Sequence, residues 1–296
     1  MATRPETPLL IAGPTASGKS ALALDRAKRD GGIVINADSM QVYADLAILT
    51  ARPSHAETAE APHRLYGHVP AAETYSVARW LEDVRAVLDE ALSLRARPII
   101  VGGTGLYFKA LLEGLSPVPP IPAEIRLRWR EAALAAEPGD LHRRLAECDP
   151  LMAVRLAPGD TQRITRALEV FAATGRSLAD WQREPGRPLI DAINTERNVV
   201  SLPRETLRHR CDRRFDLMMA AGALDEVRNL LGQRLASDLP AMRALGVGPL
   251  AAYLAGTMTC EEAVARAKLE THQYVKRQET WLKRQMSDWT RVESRE

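Results

Sequence analysis

Gly13-Pro14-Thr15-Ala16-Ser17-Gly18-Lys19-Ser20 satisfies the pattern G-x-x-x-x-G-K-[ST], and its flanks decide what it is. Before it stands Pro8-Leu9-Leu10-Ile11-Ala12, an apolar run of strand length. After it, Lys19 to Asp30 carries Ala21, Leu22, Leu24 and Ala27 at helical spacing. Strand, loop and helix in that order are the context of a phosphate-binding loop. The glycines let backbone N–H groups turn toward phosphate oxygens, the helix N-terminus adds positive potential, and Lys19 supplies a point charge. Ser20 can hold Mg²⁺ through its hydroxyl. The physics asks only for a diphosphate or triphosphate. No N-K-x-D guanine-reading motif occurs, and the strand before Gly102 ends in glycines where a Walker-B strand would offer an acid, so both absences weaken a nucleotide-hydrolysing reading.

The pattern repeats outward from this loop. Ile33 to Asn36 reads as a second strand. From Ser76, a plausible N-cap, Val77, Trp80, Leu81, Val84, Val87, Leu88 and Leu92 mark one face of a long helix, and Pro98 to Val101 is another buried strand closed by Gly102-Gly103. This predicts an α/β fold: a P-loop NTPase-like parallel sheet with helices on both faces and ligands at the carboxyl ends of its strands. Ser116 to Pro122 holds four prolines, and helices alone follow: Ala123 to Ala136, Leu141 to Glu147, Leu151 to Leu156 and Thr161 to Thr174. Asn198 to Leu202 restores a strand, with helices expected from there to the end. The expected domains are a catalytic core, 1–115 with 196–296, and an all-helical insertion, 116–195.

At 296 residues with 46% hydrophobic and 26% charged, the chain has ample apolar surface for a large core and no disordered composition. No apolar run of about 18 residues occurs and Met1 to Pro8 has no apolar segment behind it, so the expectation is a cytoplasmic protein with no membrane partner. Cys148, Cys211 and Cys260 lie far apart without a C-x-x-C pair, which argues against disulfides or zinc. Of 40 basic residues six are lysine, leaving 34 arginines. Arginine grips phosphate bidentately, though codon bias gives the same excess, so position must decide. Arg204 to Arg214 holds five arginines against Glu205 and Asp212. Arg266 to Arg291 holds seven basic residues, among them Lys276, Arg277, Lys283 and Arg284, against three acids. Such stretches are either solvated helix faces or an RNA-binding surface, and Trp281 between them is either a stacking platform or a core anchor.

Asp38, in Ala37-Asp38-Ser39-Met40-Gln41-Val42-Tyr43, lies just past the second strand and should share the crevice of the phosphate loop. Five separated stretches together carry a resemblance: G-P-T-A-S-G-K-S at Gly13 to Ser20, D-S-M-Q-V-Y at Asp38 to Tyr43, G-G-T-G-L-Y at Gly102 to Tyr107, D-T-Q-R-I-T-R-A-L-E-V at Asp160 to Val170, and K-R-Q-E-T-W-L-K at Lys276 to Lys283. Thr50-Ala51-Arg52-Pro53 is similar to T-A-K-P. The sequence resembles the tRNA dimethylallyltransferases, also called tRNA isopentenyltransferases, over nearly its whole length.

The resemblance implies transfer of a dimethylallyl group from dimethylallyl diphosphate to N6 of adenine 37 in the tRNA anticodon stem-loop, with diphosphate leaving and Mg²⁺ assisting. It implies that Asp38, Thr104 and Arg214 are catalytic, and that Gly13 to Ser20 with Arg214 bind diphosphate. It assigns Asp38, Ser39, Met40, Gln41, Thr104, Arg126, Gln162, Arg163, Arg166, Arg243, Lys276, Arg277, Trp281 and Lys283 to tRNA. A monomer is expected. The alternatives are a P-loop small-molecule kinase and a prenyltransferase acting on free adenine nucleotides. One place departs: where the family carries A-M-R-A-I-G-Y, this chain has Ala241-Met242-Arg243-Ala244-Leu245-Gly246-Val247-Gly248-Pro249, which removes a tyrosine beyond Arg243.

Overall fold

Parallel neighbours in a sheet need a crossover long enough to hold a helix, so a chain that alternates apolar strand and amphipathic helix is committed to a parallel sheet. The computed structural model describes residues 7–293 and contains six strands: β1 (Leu9–Ala12), β2 (Gly32–Asn36), β3 (His63–Arg64), β4 (Arg97–Gly102), β5 (Glu196–Val200) and β6 (Thr290–Val292). Their order is β3-β2-β4-β1-β5-β6, and every pairing is parallel. Register places Ala12 beside both Gly102 and Val199, so β1, β4 and β5 end side by side. The chain leaves β1 toward one edge and β5 toward the other. Crevices beyond strand ends at such a reversal are where α/β sheets bind ligands.

Both faces of the sheet are covered, which is why its strands read as continuous apolar runs. Leu10, Ile33, Ile35 and Ile100 pack in one cluster with Trp80 and Val84 of α3 (Val77–Ser93), whereas Leu9, Ile11, Val34 and Ile99 pack with Ala23 and Ala27 of α1 (Lys19–Asp30). Ser76 caps α3 by accepting the Arg79 N–H at 3.2 Å. Leu92, expected on the buried face, is 68% exposed, because α3 ends one residue later and its last turn overhangs the core. Short α2 (His55–Glu60) and two-residue β3 carry too little apolar periodicity to be foreseen. β6 corrects the expectation of helices to the end: three residues pair with β5 as an edge strand, tied down by buried Trp289.

The chain gathers into two units, Met1–Leu112 with Leu189–Glu296, and Glu113–Pro188. After β4 the first unit continues through α4 (Gly105–Glu113). The second holds α5 (Ala123–Ala135), α6 (Asp140–Cys148), α7 (Pro150–Ala153), α8 (Thr161–Thr174) and α9 (Leu178–Trp181), with its own core of Leu141, Leu145, Met152, Ile164, Ala167 and Leu168. The first resumes with β5 and then α10 (Arg204–Ala220), α11 (Ala223–Gly232), α12 (Val247–Leu254) and α13 (Cys260–Gln285) before β6. All three cysteines are free. Among the described residues no helix is long and apolar enough to cross a membrane.

At the amino ends of the strands lies an ion-pair network that the sequence did not announce. Arg97, fully buried at the start of β4, reaches Asp30 at 2.5 Å, Glu196 at 2.6 Å and the Thr7 carbonyl at 2.9 Å, while Arg26 also pairs with Glu196 at 2.9 Å. Burial pushes the Asp30 and Glu196 carboxyls up, and Arg97 together with Arg26, joined by Arg29 at Asp30 and Asn198 at Glu196, more than reverses this and holds both below the usual range. Depressed carboxylates contribute stability above their ordinary pKa and lose it as pH falls through the depressed value. Arg97→Met should therefore cost about 3 kcal/mol near neutrality, the low end for a broken buried pair because Glu196 keeps some solvent. Denaturant titrations at pH 7 and pH 3 check this: the gap between wild type and variant should shrink in acid.

Candidate functional site

The phosphate loop is shaped by its own backbone. Ala16 and Gly18 adopt left-handed φ of 64° and 87°, and the Ser17 N–H donates to the Pro14 carbonyl at 3.2 Å, closing a turn at the head of α1. Lys19 curls back over this turn and donates to the same carbonyl at 3.2 Å. Burial pushes its ammonium down to about 8, with Asp38 opposing the shift and Arg214 adding to it. Ser17 Oγ is buried against Gly13 without a hydrogen-bond partner. A cavity of about 340 Å³ opens above, lined by Thr15 to Ala21, Asp38, Gln41, Thr50, Ala51, Arg210 and Arg214. Its cations and its single carboxylate come from separate stretches of chain. Burial also lowers the Arg214 guanidinium from its ordinary value, against the pull of Cys211 and Asp38.

Asp38 is aimed by Asn36, a buried amide at the end of β2. Asn36 Oδ1 accepts the Asp38 N–H at 2.8 Å, and its Nδ2 donates to the Asp38 and Leu65 carbonyls at 2.9 and 3.0 Å. One carboxylate oxygen of Asp38 accepts the Met40 N–H at 2.9 Å. Thr104 stands beside it: its N–H donates to the Ala37 carbonyl at 3.2 Å and its Oγ1 accepts the Ser39 N–H at 3.0 Å. Gln41 is occupied otherwise, donating to the Thr50 and Ala51 carbonyls at 2.8 and 2.9 Å and so holding that wall of the cavity. Three tyrosines surround the acid. Burial pushes the phenols of Tyr66, Tyr107 and Tyr274 up, and the negative charge of Asp38 adds to each shift. Tyr107 stacks on Trp80 with centroids 4.4 Å apart, and Trp80 Nε1 donates to the Asn36 carbonyl at 2.8 Å.

The glycines of Gly102-Gly103-Thr104-Gly105 are required by close approach. A Cβ on Gly102 would stand 2.0 Å from the Ala37 carbonyl oxygen, one on Gly103 2.3 Å from Gln278 Nε2, and one on Gly105 1.9 Å from Trp281 Nε1. Two of these neighbours belong to α13. Trp281 thus lays the edge of its indole against the head of α4, with the ring nitrogen buried and unpartnered and the side chain half-buried. Gln278 does not stand out in the sequence, although it sits inside K-R-Q-E-T-W-L-K. A signal exists: Ala263, Ala267, Thr271, Val275, Gln278 and Leu282 form the buried stripe of α13, and an amide on an apolar stripe needs a reason.

The basic residues sort by partner. Arg266 pairs with Glu270 at 3.1 Å and Lys268 with Asp216 at 2.6 Å, whereas Lys276, Arg277, Lys283 and Arg284 are exposed along α13, Arg277 lying over the Tyr274 ring at 5.6 Å. Arg243 ends a 3₁₀ turn and is exposed. Beyond it Val247, at the position of the missing tyrosine, is buried in the core and begins α12, so the departure trades a polar aromatic for packing. In the helical unit Arg126 is exposed on α5, and Gln162, Arg163 and Arg166 are exposed along α8, where Arg163 pairs with Asp160 at 3.1 Å and Arg166 with Glu169 at 3.2 Å.

Comparison with known proteins gives the family. A family model described as IPP transferase matches residues 41–285, and one described as isopentenyl transferase matches residues 7–68. The chain belongs to the tRNA dimethylallyltransferase family. It is 54% identical over 283 residues to the tRNA dimethylallyltransferase of Azorhizobium caulinodans, covering 96% of this chain and 91% of that one, and 55% identical over 284 residues to that of Methylobacterium nodulans, covering 95% and 93%. Among solved structures, the tRNA isopentenylpyrophosphate transferase of Bacillus halodurans superposes with a TM-score of 0.70 at 30% identity, over 97% of this chain and 90% of that one. A eukaryotic dimethylallyltransferase captured acting on tRNA superposes with a TM-score of 0.83 at 27% identity, over 97% and 73%.

Proposed function

We propose that the chain transfers the dimethylallyl group of dimethylallyl diphosphate to N6 of adenine 37 in the tRNA anticodon stem-loop, releasing diphosphate. The observation that carries this is one cavity holding a cationic phosphate cradle and, facing it, one carboxylate. The amine nitrogen attacks the allylic carbon, the carbon–oxygen bond to diphosphate breaks, and the N6 proton passes to Asp38. Lys19, Arg214 and the loop amides stabilise charge growing on the leaving diphosphate. Thr104, held against Ser39, fixes the acceptor side. Tyr66, Tyr107 and Tyr274, all neutral phenols, give the site walls that exclude water from a cation-like allyl group.

Among the described residues no group of three His, Cys, Asp or Glu side chains could hold a metal unaided. The donors fit a hard cation that arrives with its substrate: the Ser20 hydroxyl and the Asp38 carboxylate line the same cavity, and Mg²⁺ accepts a few protein oxygens with the rest from phosphate and water. When bound it would neutralise part of the diphosphate charge. The protein acts as a cytoplasmic monomer with no membrane partner in this reading.

On the tRNA side, Ser39, Met40 and Gln41 flank the acceptor pocket, Arg243, Lys276, Arg277, Trp281 and Lys283 serve the first unit, and Arg126, Gln162, Arg163 and Arg166 the helical unit. Replacing Lys276, Arg277, Lys283 and Arg284 together with alanine should weaken tRNA binding and flatten its salt dependence, the log–log slope falling by about 0.7 to 0.9 for each phosphate no longer neutralised. Diphosphate binding should hold. A folded quadruple variant with unchanged affinity and slope would make α13 a solvated face and favour free nucleotide as the acceptor.

A further inference from the structure

Gln278 is 6% exposed and uses both ends of its amide. Oε1 accepts the Thr15 N–H of the phosphate loop at 2.9 Å, and Nε2 donates to the Gly103 carbonyl at 3.0 Å. The two loops follow β1 and β4, and the residue that joins them comes from the far end of the chain. We infer that Gln278 is a positioning residue that holds the diphosphate-binding loop and the Gly103-Thr104 turn in register, an inference that rests on the transferase reading above. Only an amide fits this place: it offers a donor and an acceptor in one plane, where a carboxylate only accepts, an ammonium only donates and an alkyl group does neither. Gly103 has no room for a Cβ against Nε2, so the amide is wedged as well as bonded. The Thr15 N–H is committed to Gln278 and withdrawn from the anion, as the Ser17 N–H is to the Pro14 carbonyl, which leaves the remaining loop amides and Lys19 to receive diphosphate. In a transfer between two bound substrates, a shift of about 1 Å between the leaving-group cradle and the acceptor side costs roughly 100-fold in rate.

Gln278→Glu and Gln278→Leu test this. Both should lower kcat by roughly 10- to 100-fold at pH 8 with KM for tRNA within about threefold. As pH falls to 6 the buried Glu takes up a proton, regains a donor for the Gly103 carbonyl, and its kcat relative to wild type should recover by about tenfold, while the Leu variant shows no recovery. Lys19, Asp38, Cys211, Arg214, Tyr66, Tyr107 and Tyr274 surround the same site in all three proteins, and the ratio to wild type removes their titration. A second readout needs no turnover: in Gln278→Leu, amide hydrogen exchange should rise together in residues 13–18 and 102–105 and nowhere else in the sheet. Should Gln278→Leu fail to fold, the pH ratio of Gln278→Glu decides alone. Wild-type kcat in either variant, or a Glu variant whose ratio is flat between pH 8 and 6, overturns the inference. If the wild-type protein modifies no tRNA, the transferase reading falls, and the joint rise in exchange still decides whether Gln278 clamps the two loops.

Discussion

Lys19→Ala lowers kcat for dimethylallyl transfer by about 10² to 10³, equivalent to roughly 3 to 4 kcal/mol of lost transition-state stabilisation. The size follows from where the ammonium sits. It is folded against the Pro14 carbonyl inside the loop, in surroundings poor enough in water to push its pKa down to about 8. A charge held in such a place acts on a departing diphosphate with little screening. The same pKa gives a pH signature. Below about 8 the free protein already carries the ammonium; above it the amine is neutral and must take up a proton when the anion binds. Inorganic diphosphate affinity of the wild type, measured by calorimetry, should therefore weaken as pH rises from 7 to 9.5, and proton uptake should accompany binding in the upper half of that range. Lys19→Ala should bind weakly with no such slope. Turnover of Lys19→Ala near the wild-type value would detach this loop from the reacting diphosphate.

Asp38→Ala has the second large effect, a fall of about 10² or more in kcat with tRNA affinity changed much less, because a proton acceptor matters chiefly when the N6 proton leaves. Asp38→Asn separates accepting the proton from merely filling the space: the amide retains the hydrogen bond from the Met40 N–H, and should be nearly as slow as alanine. Single-turnover rates and tRNA binding curves check both. A variant whose whole defect is a raised KM for tRNA would show that Asp38 binds and does not take part in the chemistry.

Much of the fold is legible in the sequence because its signals are local. The apolar runs at Leu9 to Ala12, Ile33 to Asn36 and Pro98 to Val101 are strands buried on both faces, and Lys19 to Asp30 and Thr161 to Thr174 are helices whose ends are set by Gly31, Asp160 and Gly175. What escapes depends on distant partners. β6 is three residues long and becomes a strand only by pairing with β5. Arg97 reads as a polar interruption at a strand edge until Asp30 and Glu196 are brought to it. Around the site, the phosphate loop, Asp38 and Thr104 can be picked out in the sequence, since motif and strand end place them. Tyr66, Tyr274 and Gln278 cannot, because their places come from α13 and the 65–67 turn arriving over the strand ends, which no local periodicity encodes, whereas Tyr107 lies on α4 inside G-G-T-G-L-Y. Trp281 shows the limit from the other side: the sequence leaves it open between a stacking platform and an anchor, and only the fold reveals that one edge of its ring lies against Gly105.

The most direct measurement is transfer itself. Purified protein incubated with radiolabelled dimethylallyl diphosphate and Mg²⁺, with unmodified tRNA in one tube, AMP in a second and ATP with candidate small-molecule acceptors in a third, followed by nuclease digestion and chromatography, separates the readings in one experiment. Label is expected in tRNA alone, recovered as N6-dimethylallyladenosine with stoichiometric diphosphate. Label in AMP with none in tRNA, or phosphoryl transfer from ATP without any prenyl transfer, would contradict the transferase reading.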